Sequence, residues 1–243
     1  MSLASAYIGQ FLSDQQNDNT TDLYNRLLPY VNDLELQVLV DQNTLDTHQY
    51  NIYPLRIPTN AATVPTWDDR PIGYPLEKHA SAIGSTGWLW TQQESLFVAF
   101  DFDSIAGHNG TGISDDELLA VRRAVQNLPY VEIRHSTRGK GLHLYVWLEP
   151  GTKAANHTEH ANHAKTILAQ MSADTGHDLS KSLDVCGSNT WIWSKNQCPA
   201  RAYAPLKEAP TVFEIEETTP APAPVRATTP DPLKALTRVP LNA

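Results

Sequence analysis

The stretch "SLFVAFDFD", residues 95–103, limits what this chain can fold into more than any other segment. A short, almost unbroken apolar run reads as a strand covered on both faces. Side chains two apart in a strand point to the same side, so Asp101 and Asp103 stand together where the run ends. Two such carboxylates repel, and a buried unpaired carboxylate is costly. A cation between them resolves the conflict. Hard divalent ions such as Mg²⁺ or Mn²⁺ prefer oxygen ligands and keep waters that a phosphate can replace. The plainer alternative is a strand end whose aspartates face solvent or cap the next turn.

Upstream, "LASAYIGQFL" and "TDLYNRLLPYV" read as helices, the second with Leu23, Leu27 and Leu28 on a helical period. "LELQVLV" reads as a strand, and residues 41–79, rich in Pro, Asn and Thr, as loops and edge strands. Downstream, "SDDELLAVRRAVQNL" is expected as a helix opened by Ser114 and Glu117 at capping-box spacing. Leu118, Val121, Val125 and Leu128 form its apolar face. "YVEIRHS", the turn "RGKG" and "LHLYVWL" predict a β-hairpin. A second helix, "HTEHANHAKTILAQMSADTG", is bracketed by Asn156 with Glu159 and by Gly176. "SLDVCG" and "TWIWS" read as two further strands.

That order predicts an α+β fold, a sheet with helices packed on one face. The expected divisions are an N-terminal α/β module over 1–83, a core over 84–208, and a disordered Pro/Thr/Ala-rich tail over 209–243.

The net charge of −9 argues against a protein that wraps duplex DNA by bulk electrostatics. It leaves room for an enzyme whose positive charge is local or carried by bound metal. No apolar run approaches the roughly 20 residues needed to span a membrane. The first residues lack the basic-then-apolar plan of a signal peptide, and Cys186 and Cys198 are too few for a disulfide framework. A cytoplasmic protein with structural thiols and no membrane partner is expected.

Two further clusters bear on chemistry. "RHSTRGKGLHLYV" gathers Arg134, Ser136, Thr137, Arg138, Lys140 and His143 around one glycine turn. Backbone N–H groups, hydroxyls and cations in such a turn suit anionic oxygens, a triphosphate among them; a charged surface hairpin is the alternative. In "SLDVCGSNTWIW", Asp184 inside an apolar strand could complete a three-carboxylate metal site, or serve as a structural acid. On the second helix His157 and His160 share the stripe of Ala164, Ile167, Leu168 and Met171, with His163 at its margin. Packing and capping is their simplest role; the other is lining an anionic site. His108 is a weaker candidate.

Together, "FVAFDFD", "STRGKGLHLYV" and "SLDV" resemble the three motifs of the archaeo-eukaryotic primase superfamily, over about residues 84–196. The middle motif is also similar to that of the polymerase domains of bacterial end-joining ligases. "IGSTGWLW", "DFDSIAGH", "NHTEHANHAK" and "DVCGSNTWIWSKN" resemble primase-like proteins of bacteria and their mobile elements. The resemblance implies an RRM-like mixed or antiparallel sheet and a DNA primase–polymerase that adds NTP or dNTP on a single-stranded or primed template. It implies two Mg²⁺ or Mn²⁺ ions held by Asp101, Asp103 and Asp184. His143, Lys140, Arg138, Ser136 and Thr137 would meet the nucleotide's phosphates. A helicase or other replication protein is an implied partner. Gly141 stands where the superfamily often carries serine, two residues before the histidine.

Two rivals remain. A phosphatase of the haloacid dehalogenase type also carries an apolar strand ending Asp-x-Asp, on a parallel sheet. A replication or defence module could keep the sheet and bind nucleic acid without turnover.

Overall fold

The computed structural model describes residues 18–30, 33–44, 47–54, 57–58, 67–68, 82–103, 113–136, 140–187, 190–193 and 204–215. The chain opens with helix α1 (Asp18–Leu27), a 3₁₀ turn (Leu28–Tyr30), and strands β1 (Leu34–Thr44), β2 (Thr47–Pro54), β3 (Ile57–Pro58), β4 (Trp67–Asp68), β5 (Ala82–Leu89), β6 (Glu94–Ser95) and β7 (Phe97–Phe102). Helix α2 (Asp115–Val125), strands β8 (Glu132–His135) and β9 (Leu142–Trp147), and helix α3 (His157–Thr175) follow. The last elements are a 3₁₀ turn (Leu179–Lys181), β10 (Val185–Cys186), β11 (Thr190–Trp193) and β12 (Pro205–Lys207). The helix expected over "LASAYIGQFL" lies outside the described residues.

Two five-stranded sheets carry the fold, and their ladders are antiparallel. The first has the order β11-β5-β1-β2, with β6 paired to β5; the second runs β10-β7-β9-β8-β12. This is an α+β architecture. Among the described residues it does not supply the parallel sheet that the phosphatase reading requires.

Alternation along β7 and β9 sorts the second sheet into two faces. Val98, Phe100, Phe102, Leu142, Leu144, Val146 and Ile133 form one core with Val121 and Val125 of α2 and Ala164, Ile167, Leu168 and Met171 of α3. Both helices therefore pack on one face. Ser114 Oγ caps α2 by accepting from Glu117 N–H at 3.1 Å, and Asn156 Oδ1 caps α3 by accepting from Glu159 N–H at 3.0 Å. Gly176, with φ +67°, closes α3 in the left-handed conformation.

The opposite face carries Phe97, Ala99, Asp101, Glu132, Arg134, His143, Tyr145 and Trp147. Part of it is covered by α1, whose Leu23 and Leu27 are buried as their period predicts. Arg26 of that helix bonds Glu132 at 2.6 Å and stacks 3.5 Å over the Trp147 ring. Asp22 holds Arg134 through contacts of 2.6 and 3.1 Å, and Glu132 holds the same guanidinium through Nε.

Several expectations need correction. β1 continues through Thr44 and pairs with β2, so the stretch from residue 41 begins with a long hairpin; β2 is an edge strand. Within "TWIWS", β11 leaves the second sheet and pairs with β5 of the first. The boundary expected at residue 83 falls inside β5. Residues 209–215, expected to begin the tail, are tied to the core: Phe213 N–H donates to Trp147 O at 2.8 Å, and its ring meets Tyr130 at 4.7 Å. Residues 216–243 and Cys198 lie outside the described residues, and Cys186, expected as a structural thiol, is exposed. Among the described residues no helix is long and apolar enough to cross a membrane.

The histidines of α3 tie the two sheets together. His160 is buried and donates through Nε2 to Thr86 O at 2.8 Å, which leaves Nδ1 to accept from Ser95 Oγ at 2.8 Å. Ser95 Oγ then accepts from His163 Nδ1 at 3.1 Å. Burial pushes His160 down to about 4, so the ring is neutral near pH 7. His157 packs its ring 4.3 Å from Trp88. Ser95 lies six residues before Asp101, about 20 Å along an extended chain. These histidines do not line the carboxylate end.

Candidate active site

One row of cross-strand partners organises the carboxylate end of the second sheet. Asp101 of β7 lies opposite His143 of β9, which lies opposite Arg134 of β8; on the other side Val185 of β10 faces Asp101. Paired residues in antiparallel strands share a face, so Asp101 and His143 emerge side by side. His143 Nε2 stands 3.5 Å from Asp101 Oδ1. Burial pushes His143 down to about 4, against the upward pull of the Asp103 charge. The ring is therefore neutral near pH 7, and its approach to Asp101 is a polar contact rather than an ion pair. Asp101 keeps 34 % of its side chain exposed, against 12 % for His143.

Asp184 joins them through the backbone. Its N–H donates to Asp101 O at 2.9 Å, and β10 begins at the next residue. It lies on the bend before β10, not inside a strand as expected, so alternation does not set the direction of its side chain. Among the described residues no three His, Cys, Asp or Glu side chains close around one point. Mg²⁺ is commonly held by one or two carboxylates with waters and substrate phosphates, not by an all-protein cage. The donor chemistry of Asp101, Asp103 and Asp184 fits such an ion.

The glycine turn is built against this end of β7. Ser136 N–H donates to Gly141 O at 2.9 Å, and Gly141 N–H donates to Ser136 Oγ at 2.8 Å. Ser136 is buried, so its hydroxyl braces the turn; Lys140 beside it is exposed. Thr137, Arg138 and His108 lie outside the described residues. Arg134 does not serve the turn as a surface cation. It is 2 % exposed and engaged by Glu132 and Asp22.

No family model and no curated protein matches the chain. Among solved structures it is similar to the polymerase domain of ligase D from Mycobacterium tuberculosis in complex with DNA. The identity is 16 %, the TM-score 0.41, and the match covers 74 % of this chain and 71 % of that one. At that TM-score the likeness does not by itself assign an activity.

Gly141 shows why the turn is not free to vary. A Cβ at this position would lie 2.5 Å from Phe102 O, 2.9 Å from Ser136 Oγ and 3.1 Å from Asp103 Cα. A side chain would push β9 away from β7 where Asp101 and Asp103 stand. Gly141→Ser, which restores the serine of the resembled motif, is therefore expected to destabilise the fold by about 1–3 kcal/mol. Urea unfolding of the variant beside the wild type checks this; an equally stable variant would show that serine fits.

Sequence reasoning missed two groups. Glu132, between Val131 and Ile133 in a strand, was a legible sign of a buried ion pair two residues from Arg134. Glu117, Ser182 and His177 meet across 60 or more residues and left no local pattern.

Proposed function

We propose that the chain is a metal-dependent nucleotidyltransferase, a DNA primase–polymerase that adds nucleotides to a nucleic-acid template. The observation that carries this reading is the row in which Asp101 and His143 emerge together, with Asp184 bonded to Asp101 and the braced glycine turn alongside. Carboxylates for hard cations, a neutral imidazole and an exposed lysine within one antiparallel sheet end suit a nucleoside triphosphate.

Asp101, Asp103 and Asp184 are the residues to hold two Mg²⁺ or Mn²⁺ ions. When bound, such ions supply activation of a primer 3′-hydroxyl and neutralise charge on the leaving pyrophosphate. His143, neutral near pH 7, offers one N–H to a phosphate oxygen, and Lys140 offers its ammonium. Ser136 keeps the turn closed so that both groups stay at the carboxylate end. The rest of the work is positioning. A single-stranded or primed template, NTP or dNTP, and a helicase or other replication protein are the partners proposed.

The test is incorporation of labelled nucleotide by the full chain on primed and unprimed templates with Mg²⁺ or Mn²⁺. Template-dependent product that vanishes with EDTA and returns with Mn²⁺ is expected. Nucleotide binding without product would instead favour the inactive binding module. Phosphomonoester hydrolysis without incorporation would overturn the nucleotidyltransferase reading.

A further inference from the structure

Glu117 stands three residues after Ser114 and has the spacing to turn its carboxylate back to the Ser114 N–H. Here the carboxylate crosses to another part of the chain. Its Oε1 accepts from the Ser182 hydroxyl and lies 3.2 Å from His177 Nε2. The hydrogen bond from Ser182 holds Glu117 below its ordinary value against the opposing effect of burial, with His177 adding to the downward pull.

Ser182 is buried, closes the 3₁₀ turn through its N–H to Leu179 O at 3.2 Å, and stands two residues before Asp184. Beyond Asp184 the chain is fixed by strand pairing: Asp184 N–H bonds Asp101 O, and Gly187 N–H bonds Ala99 O at 2.9 Å. Gly187 sits so close to α3 that a Cβ there would meet Ala164 Cβ at 2.5 Å. The bend at Asp184 is thus pinned downstream by β7 and upstream by the Ser182–Glu117 bond. Strand alternation does not aim this carboxylate; the two pins fix the stretch of backbone from which it projects.

We infer that Glu117 is a positioning residue for Asp184, setting through Ser182 where that carboxylate stands relative to Asp101 and Asp103. The inference rests on the reading of those aspartates as metal ligands. Loss of a partner that orients a metal ligand weakens metal binding by about 10–100-fold.

The test is Mn²⁺ titration of the full chain followed by electron paramagnetic resonance, without substrate. Glu117→Ala and Ser182→Ala are each expected to weaken Mn²⁺ binding by about tenfold, and Glu117→Gln, which keeps the acceptor, by less than about threefold. In an Asp184→Ala background Ser182→Ala should cause no further loss. Ser182→Ala removes one oxygen and leaves the α2 cap intact, so it serves should Glu117→Ala fail to fold. Unchanged affinity in Ser182→Ala, while Asp184→Ala weakens binding, overturns the role of Glu117 and leaves the metal reading standing. Equal weakening by Ser182→Ala in both backgrounds does the same. A wild-type chain that takes up no Mn²⁺, or Asp101→Ala and Asp184→Ala chains that bind it as wild type does, overturns the metal reading and this inference with it.

Discussion

Asp101→Asn and Asp103→Asn will each lower nucleotide incorporation by about 10³-fold or more, and neither will unfold the protein. The loss corresponds to about 4 kcal/mol of transition-state stabilisation, within what a Lewis-acid metal supplies. The substitution keeps the size of the side chain and removes the charge that holds a hard cation. Stability should move by no more than about 1 kcal/mol, because Asp101 is half-exposed and its backbone pairing to His143 does not depend on the carboxylate. A small gain is the expected sign: Asp101 lies 3.5 Å from His143 and the Asp103 charge also acts on that ring, so neutralising one carboxylate relieves their mutual repulsion. Urea midpoints beside product yields separate the effects. Wild-type yield from both variants would remove these residues from the chemistry.

The carboxylate end was legible because its logic is local. An apolar run ending Asp-x-Asp and a hairpin whose second strand starts Gly-Leu-His are contained in short segments. The β7–β9 ladder, which no local pattern dictates, then places His143 opposite Asp101. Helix caps were legible for the same reason: Ser114 and Asn156 act within three residues of themselves.

What failed was long-range. Arg134 looked like a turn cation because Arg138 and Lys140 follow it, yet Asp22, 112 residues away, is one of its ion-pair partners. "TWIWS" has the pattern of a strand, but nothing in those five residues says which sheet it joins; β5 does, about a hundred residues upstream. Glu117 satisfied its local cap rule with its N–H, and the more consequential half of the residue, its carboxylate, found a partner at Ser182. Strand pattern gave Asp184 its place beside Asp101 but not its aim, since the residue falls on a bend.

Glu132→Leu is expected to cost about 3–5 kcal/mol, among the larger losses any single substitution here should cause. Glu132 and Arg134 are 3 % and 2 % exposed at their side chains, on the face covered by α1. The carboxylate also receives Arg26 and the Trp147 Nε1–H at 3.1 Å. Removing it strips the buried guanidinium of Glu132, and the ion pair with Asp22, whose side chain is 52 % exposed, is screened by water. Arg134→Met alone should cost less, because Glu132 retains Arg26 and Trp147. In the double variant Glu132→Leu/Arg134→Met no charge of the pair is left buried, and apolar side chains fill the same space. Its loss should be at least about 2 kcal/mol smaller than the sum of the two single losses. A remaining deficit is expected because the indole N–H loses its acceptor, a cost of about 1–3 kcal/mol. Urea midpoints at constant slope measure all four corners of the cycle. Additive losses would mean that the two charges do not depend on each other, and α1 would then be held to the sheet by Leu23, Leu27 and the Arg26–Trp147 stack instead.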